Sequence, residues 1–257
     1  MKKPYVIAIC QQKGGVGKTT MTINLAATLV RKGYRILAVD IDPQANMSTS
    51  MGYLVPDKRP TLYNIITNHI SGLSNNLMEA IRTWEAEQVD YIPSNIMMAG
   101  VSGSISQYPN YTSVLREILS DPVCNRYDYI LIDCKPALDL IVDNALAAAD
   151  GVIIPAQTEE YALDQLYPTF LQCQKHHAHI LGIVCTMYDP RYNAHKGVVE
   201  AIHTAYPELA FQQTISRYAD YANSLNEKRS VHCVPGGEAK KQLLKLTDEI
   251  ITRSGKE

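Results

Sequence analysis

Short apolar runs alternate with longer amphipathic stretches along most of this chain. The clearest runs, at 6–10, 35–39, 129–132, 151–154 and 180–186, are rich in Val, Ile and Leu and read as β-strands. Weaker strand candidates lie at 89–92, 211–215 and 231–234. Runs such as Tyr-Ile-Leu-Ile at 129–132 lack the polar alternation of a half-exposed strand, so these strands are expected to be covered on both faces. Between and after them, helical spacing predicts helices over 19–32, 139–149, 159–177, 193–206 and 238–253. The alternation of strand and helix predicts an α/β fold, a mostly parallel twisted sheet flanked by helices on both faces. The stretch 47–125 carries Pro56, Pro60 and Gly100 to Gly103, is less regular, and reads as helices and loops on the sheet edge. No repeat or low-complexity linker interrupts the pattern, so residues 1–257 are expected to form one domain.

Composition narrows the functional classes. Hydrophobic residues at 46% and charged residues at 19% exclude a disordered or fibrous chain, and 257 residues suffice to bury a large sheet. A formal net charge of −2 excludes a globally basic nucleic-acid binder, so any DNA contact is expected from a local, salt-sensitive patch. The six cysteines are widely spaced without a C-x-x-C pair, which points away from a disulfide framework or zinc site and towards a reducing cytoplasm. No signal-peptide pattern opens the chain, and no stretch reaches the roughly 18 apolar residues of a spanning helix.

Gly14-Gly15-Val16-Gly17-Lys18-Thr19-Thr20 follows a predicted strand and opens a predicted helix, the context of a phosphate-binding loop. Glycines let consecutive N–H groups turn inward around phosphates, and the helix N-terminus adds partial positive charge. In such a loop Lys18 lies along the β- and γ-phosphates of ATP, and the Thr19 hydroxyl ligates Mg²⁺. Asp40 and Asp42 follow the second strand at the edge where parallel sheets bind ligands. One residue apart, they face opposite sides of an ideal strand and are expected to differ in role. Asp133 ends another apolar run, where an unpaired carboxylate is costly, and is expected to hold a magnesium-bound water.

Lys13 precedes the loop, and the composite Lys-Gly-Gly-Val-Gly-Lys-Thr-Thr resembles the deviant Walker A motif of the ParA/MinD family of P-loop ATPases. The resemblance continues at 92–100, 152–163 and 181–191 and covers nearly the whole chain. It implies a Mg-ATP-dependent switch in which Lys13 reaches the partner's nucleotide across a homodimer interface. By the same resemblance Asp42 positions the attacking water, and Asp40 supports the magnesium shell and the loop. A turn or helix-capping role for Asp40 stays open. Met187, Tyr188 and Pro235 match the regions bordering the base, with ordinary packing as the alternative. After Asp133 the chain departs from the family's usual Thr-Pro-Pro: Cys134, Lys135 and Pro136 stand there, and Lys135 is expected to reach solvent, with a place near the nucleotide that alters hydrolysis as the alternative.

A ParA-type ATPase would bind double-stranded DNA nonspecifically in its ATP state and answer to a ParB-like partner in plasmid or chromosome partitioning, a cytoplasmic, nucleoid-associated role. The DNA candidates are Arg191, Lys196 and Arg217, with Lys228, Arg229, Lys240 and Lys241 as further cations. Asp220 stands where many relatives carry an arginine. A MinD-like membrane switch needs a basic amphipathic C-terminal anchor, whereas the last predicted helix mixes acids with bases, so no membrane contact is expected. A metallocluster relative needs bridging cysteines, and Cys134 has no companion at an obvious spacing. With Lys13 so near the start, no preceding helix-turn-helix, and so no operator-binding role, is expected.

Overall fold

The structure, a computed structural model, describes residues 3–54, 57–235 and 237–256. Its centre is a seven-stranded sheet of β1 (Tyr5–Ile9), β2 (Ile36–Asp40), β3 (Arg82–Trp84), β4 (Val89–Ile92), β5 (Tyr129–Asp133), β6 (Gly151–Gln157) and β7 (Ile180–Thr186). The spatial order is β3-β4-β2-β5-β1-β6-β7, parallel throughout except for the β3 edge. The helices are α1 (Lys18–Arg31), α2 (Asn46–Ser50), α3 (Leu62–Ile70), α4 (Leu77–Ala80), α5 (Val101–Ile105), α6 (Val114–Leu119), α7 (Leu140–Ala148), α8 (Ala162–Lys175), α9 (Asn193–Ala205), α10 (Ala219–Asn226) and α11 (Glu238–Ser254).

The apolar strands are covered on both faces because alternate side chains enter two different cores. Val6 and Ala8 of β1, Leu37 and Val39 of β2, and Ile130 and Ile132 of β5 join one core with α3, α5, α6, α7 and α8. Ile7 and Ile9, Ile36 and Ala38, and Tyr129 and Leu131 join the other with α1 and α11. At about 25 cal/mol per Å² of apolar surface removed from water, this two-sided burial is the main term favouring the fold.

The five expected helices form as α1, α7, α8, α9 and α11. The irregular stretch forms α2 to α6 and also a two-strand edge, where β3 pairs antiparallel with β4. Two weaker strand expectations are corrected. Between single bridges at Ala210 and Ser216, the 211–215 segment forms no strand. Glu249 of α11 draws away the N–H groups of Gln212 and Gln213, each at 2.8 Å, so they cannot ladder with β7. Residues 231–233 form a 3-10 turn capped by Ser230, whose hydroxyl accepts from His232 N. Sequence patterning also missed α10.

Arg253 of α11 fastens the β7 edge. Its guanidinium donates to the carbonyls of Leu181, Leu209 and Ala210 at 2.8 to 3.0 Å and lies 4.1 Å from the Phe211 ring centroid. This packing leaves no room at Gly182, where an added Cβ would meet Phe211 Cε2 at 2.4 Å, Arg253 Nη1 at 2.6 Å and the Leu209 carbonyl at 2.8 Å. Gly182→Ala is therefore expected to destabilise the protein by about 2 kcal/mol or more. Urea unfolding should show a lower midpoint at unchanged slope, and a change below about 0.5 kcal/mol would contradict this packing.

Candidate functional site

The C-terminal ends of β1, β2 and β5 converge on the glycine loop. Gly15 and Gly17 adopt φ of 78° and 90°, a left-handed conformation that glycine enters without steric penalty. Among the described residues, the N–H groups of Gly14, Gly15 and Gly17 have no hydrogen-bond acceptor, and Gly14 and Gly15 form a turn. Three free donors beside the N-terminus of α1 form a cradle for an anion. Lys18 is buried at the start of that helix and donates from Nζ to the Lys13 carbonyl at 3.0 Å. Burial lowers its pKa, with the Asp133 charge opposing that shift.

Asp40 and Asp133 stand side by side in register, both fully buried. Asp40 accepts from Asp42 N at 3.0 Å, Ser48 N at 2.9 Å and Ser48 Oγ at 2.6 Å. Of the roles expected for it, loop and helix support is the one its contacts display: its oxygens hold the 40–48 turn and the first turn of α2. Burial nevertheless raises its pKa to about 6. Asp133 accepts from Thr22 Oγ1 at 3.3 Å and hydrogen-bonds Thr19, but its Oδ2 is buried with no partner. Burial first, and the Asp40 charge second, hold its carboxyl well above the usual range. A buried oxygen lacking a donor, next to a threonine hydroxyl and a second carboxylate, fits a water in the shell of a divalent cation, whose direct ligands would be the threonine hydroxyl, phosphate oxygens and water. Among the described residues, no group of three or more His, Cys, Asp or Glu side chains is placed to hold a metal. Asp42 is half-buried, with Oδ1 accepting from Gln44 N at 2.9 Å.

Beside the loop lies a largely apolar cavity of about 210 Å³, walled by Gly17, Thr20 and Asn24, by Met187, and by Ile215, Arg217, Tyr218, Tyr221 and Leu243. Met187, with φ of 55°, lays its Cε over the loop, 3.7 Å from where a Cβ on Gly17 would stand. Of the three residues expected to border a base, Met187 alone lines this cavity. Tyr188 is instead tied by its backbone to Ile215 and Ser216, and Pro235 is exposed. The wall that sequence reading assigned to Pro235 is supplied by 215–222, held by Gln242, whose side chain bonds Ser216 N at 2.9 Å and Oγ at 3.0 Å. Isolated apolar and tyrosine positions in an aperiodic stretch gave no signal for that wall.

The expected DNA residues do not form one free cluster. Arg191 folds onto its neighbour Asp189, with Nη2 to Oδ2 at 2.6 Å and Nε to Oδ1 at 2.9 Å, which cancels its charge locally. Arg217 is exposed at the mouth of the 210 Å³ cavity and also lines an adjoining polar one of about 430 Å³, together with Arg191. Lys196 is exposed on α9, and Lys241 pairs with Glu238. Lys135 is corrected: it is largely covered and ion-paired with Asp139, the N-cap of α7, rather than extended into solvent. Cys134 is buried against Cys10, and that hydrogen bond together with burial pushes its thiol well up. No helix among the described residues is long and apolar enough to cross a membrane.

Known proteins agree with this geometry. The sequence profile of the AAA domain family matches residues 4–183. The sporulation initiation inhibitor protein Soj of Bacillus subtilis is 37% identical over 219 residues, covering 82% of this chain and 84% of Soj. The chromosome partitioning protein ParA of Caulobacter vibrioides is 33% identical over 260 residues, covering 96% and 94%. The solved structure of a plasmid partition protein of Borrelia burgdorferi B31 bound to AMPPNP superposes with a TM-score of 0.81 at 26% identity, over 98% of this chain and all of that one. With the loop, the paired aspartates and the strand order in place, these relatives show that the chain belongs to the ParA/Soj family of P-loop ATPases.

Proposed function

We propose that this chain is a Mg-ATP-dependent dimerising switch that binds DNA nonspecifically in its ATP state and acts in plasmid or chromosome partitioning with a ParB-like partner. The observation that carries the reading is the meeting of the unsatisfied N–H groups of Gly14, Gly15 and Gly17, Lys18 and the unpartnered Asp133 oxygen at one sheet edge. That combination suits a polyphosphate with its cation, and the Borrelia relative holds an ATP analogue on the same fold. The glycine loop and Lys18 would bind the phosphates, while Thr19 and Asp133 would hold the magnesium shell, Asp133 through water. Asp40 keeps the 40–48 turn in place and thereby positions Asp42, whose remaining oxygen orients the attacking water. Magnesium, when bound, supplies charge neutralisation at the β- and γ-phosphates. The 210 Å³ cavity takes the base between Met187 and the 215–222 wall.

Dimerisation across the nucleotide face would present each cationic patch twice, raising avidity for DNA without a new contact. Among the DNA candidates, Lys196 and Arg217, and with them the exposed Lys228 and Arg229, are cations free to meet phosphates, and Arg191 joins them when Asp189 releases it. A chain with net charge −2 that works through such patches would be cytoplasmic and nucleoid-associated only while ATP-bound.

Slow Mg-dependent ATP hydrolysis is expected, and two variants should fail differently. Lys18→Ala should weaken ATP binding about 10- to 100-fold, the loss of one or two charge-assisted hydrogen bonds. Asp42→Ala should bind ATP normally and lower phosphate release at least about 100-fold. Equal phosphate release by wild type and Asp42→Ala would overturn the assignment.

Duplex binding by the ATP state should be sequence-independent and fall steeply with salt, with a slope of about 0.9 per phosphate contact. Arg217→Ala, removing one contact per subunit, should reduce that slope by roughly 2 in a dimer. Asp189→Asn should instead strengthen binding by freeing Arg191. Fluorescence anisotropy over a salt series reads both, and no binding by the ATP state at low salt would exclude the DNA role.

A further inference from the structure

Lys13 stands at the entrance of the phosphate loop, but its side chain is committed elsewhere. Its Nζ lies 2.6 Å from Oε2 of Glu159, in the turn between β6 and α8. The other oxygen of Glu159 accepts from Gln157 Nε2. The turn itself fixes this carboxylate: Glu159 N donates to the Gln157 carbonyl at 2.8 Å, and Ala162 N donates to the Glu159 carbonyl at 3.1 Å. Two residues on, Tyr161 is held at φ of 69°, a conformation costly for an aromatic residue and found where surrounding structure imposes it. Lys18 closes on the same point from inside the loop through its bond to the Lys13 carbonyl. In the free chain, therefore, both loop lysines are engaged within their own subunit.

We propose that Glu159 is a positioning residue that holds Lys13 on its own subunit and thereby sets the threshold for dimerisation. The inference rests on the reading that Lys13 acts across a dimer interface, because reaching a partner's nucleotide requires the Glu159 contact to open. The pair suits a releasable latch. Its carboxylate is 49% exposed and its ammonium 26%, so the contact is weak enough for a more highly charged phosphate group to displace. Because a symmetric dimer opens two such pairs, any cost per subunit enters the dimer dissociation constant squared.

The test compares three forms that do not turn ATP over: Asp42→Ala, Asp42→Ala with Glu159→Gln, and Asp42→Ala with Glu159→Asp. The monomer–dimer dissociation constant is measured for each at saturating Mg-ATP by sedimentation over a dilution series. Glu159→Gln keeps the side-chain shape without the charge and should tighten the dimer by about 4- to 25-fold, the square of a two- to fivefold effect per exposed pair. Glu159→Asp keeps the charge and should return the constant to within about twofold of the parent, which a merely structural role would not do. An unchanged or weaker dimer with Glu159→Gln overturns the latch while leaving cross-interface action standing. Failure of the Asp42→Ala parent to dimerise overturns the underlying reading and the latch with it.

Discussion

Two carboxylates buried side by side, Asp40 and Asp133 at the ends of adjacent parallel strands, are the constraint on which the site depends. Removal from water raises both pKa values, and the Asp40 charge raises that of Asp133 further. The chain offsets this unevenly. Asp40 receives three donors from Asp42 and Ser48, while Asp133 receives threonine hydroxyls and keeps one oxygen open. The first carboxylate thus builds the turn that carries Asp42, and the second keeps one buried oxygen without a donor. Helix α1 and the glycine loop complete the balance by directing Lys18 and free N–H groups at the same point.

Much of this was legible before the structure. A parallel sheet with two covered faces follows from uninterrupted Val, Ile and Leu runs, and alternate residues of β1, β2 and β5 do enter opposite cores. The loop was legible because glycines at fixed spacing, a preceding strand and a following helix have few other uses. Elements that depend on a distant partner were not legible. The 211–215 run has strand composition, yet Glu249 takes its N–H groups, and a three-residue edge strand such as β3 is too short to leave a periodic signal.

The site shows the same division. Residues inside the motifs lie where their spacing placed them, whereas the base wall and the state of the cations are tertiary facts. Ile215, Tyr218 and Tyr221 become a wall only because Gln242 clamps the loop from α11. Arg191 resembles a DNA contact in sequence, and Asp189 two residues away neutralises it. Lys135, expected in solvent, is drawn back by Asp139. In each case a charged neighbour decides whether a cation is available.

In the proposed switch Lys13 exchanges a contact within its own subunit for one across an interface, driven by the γ-phosphate. Light scattering of Asp42→Ala, alone and combined with Lys13→Ala, in ATP and in ADP, tests this most directly. The predicted result is twice the monomer mass for Asp42→Ala in ATP only, and the monomer mass for the double variant under both conditions. A double variant that dimerises in ATP as tightly as Asp42→Ala would contradict it.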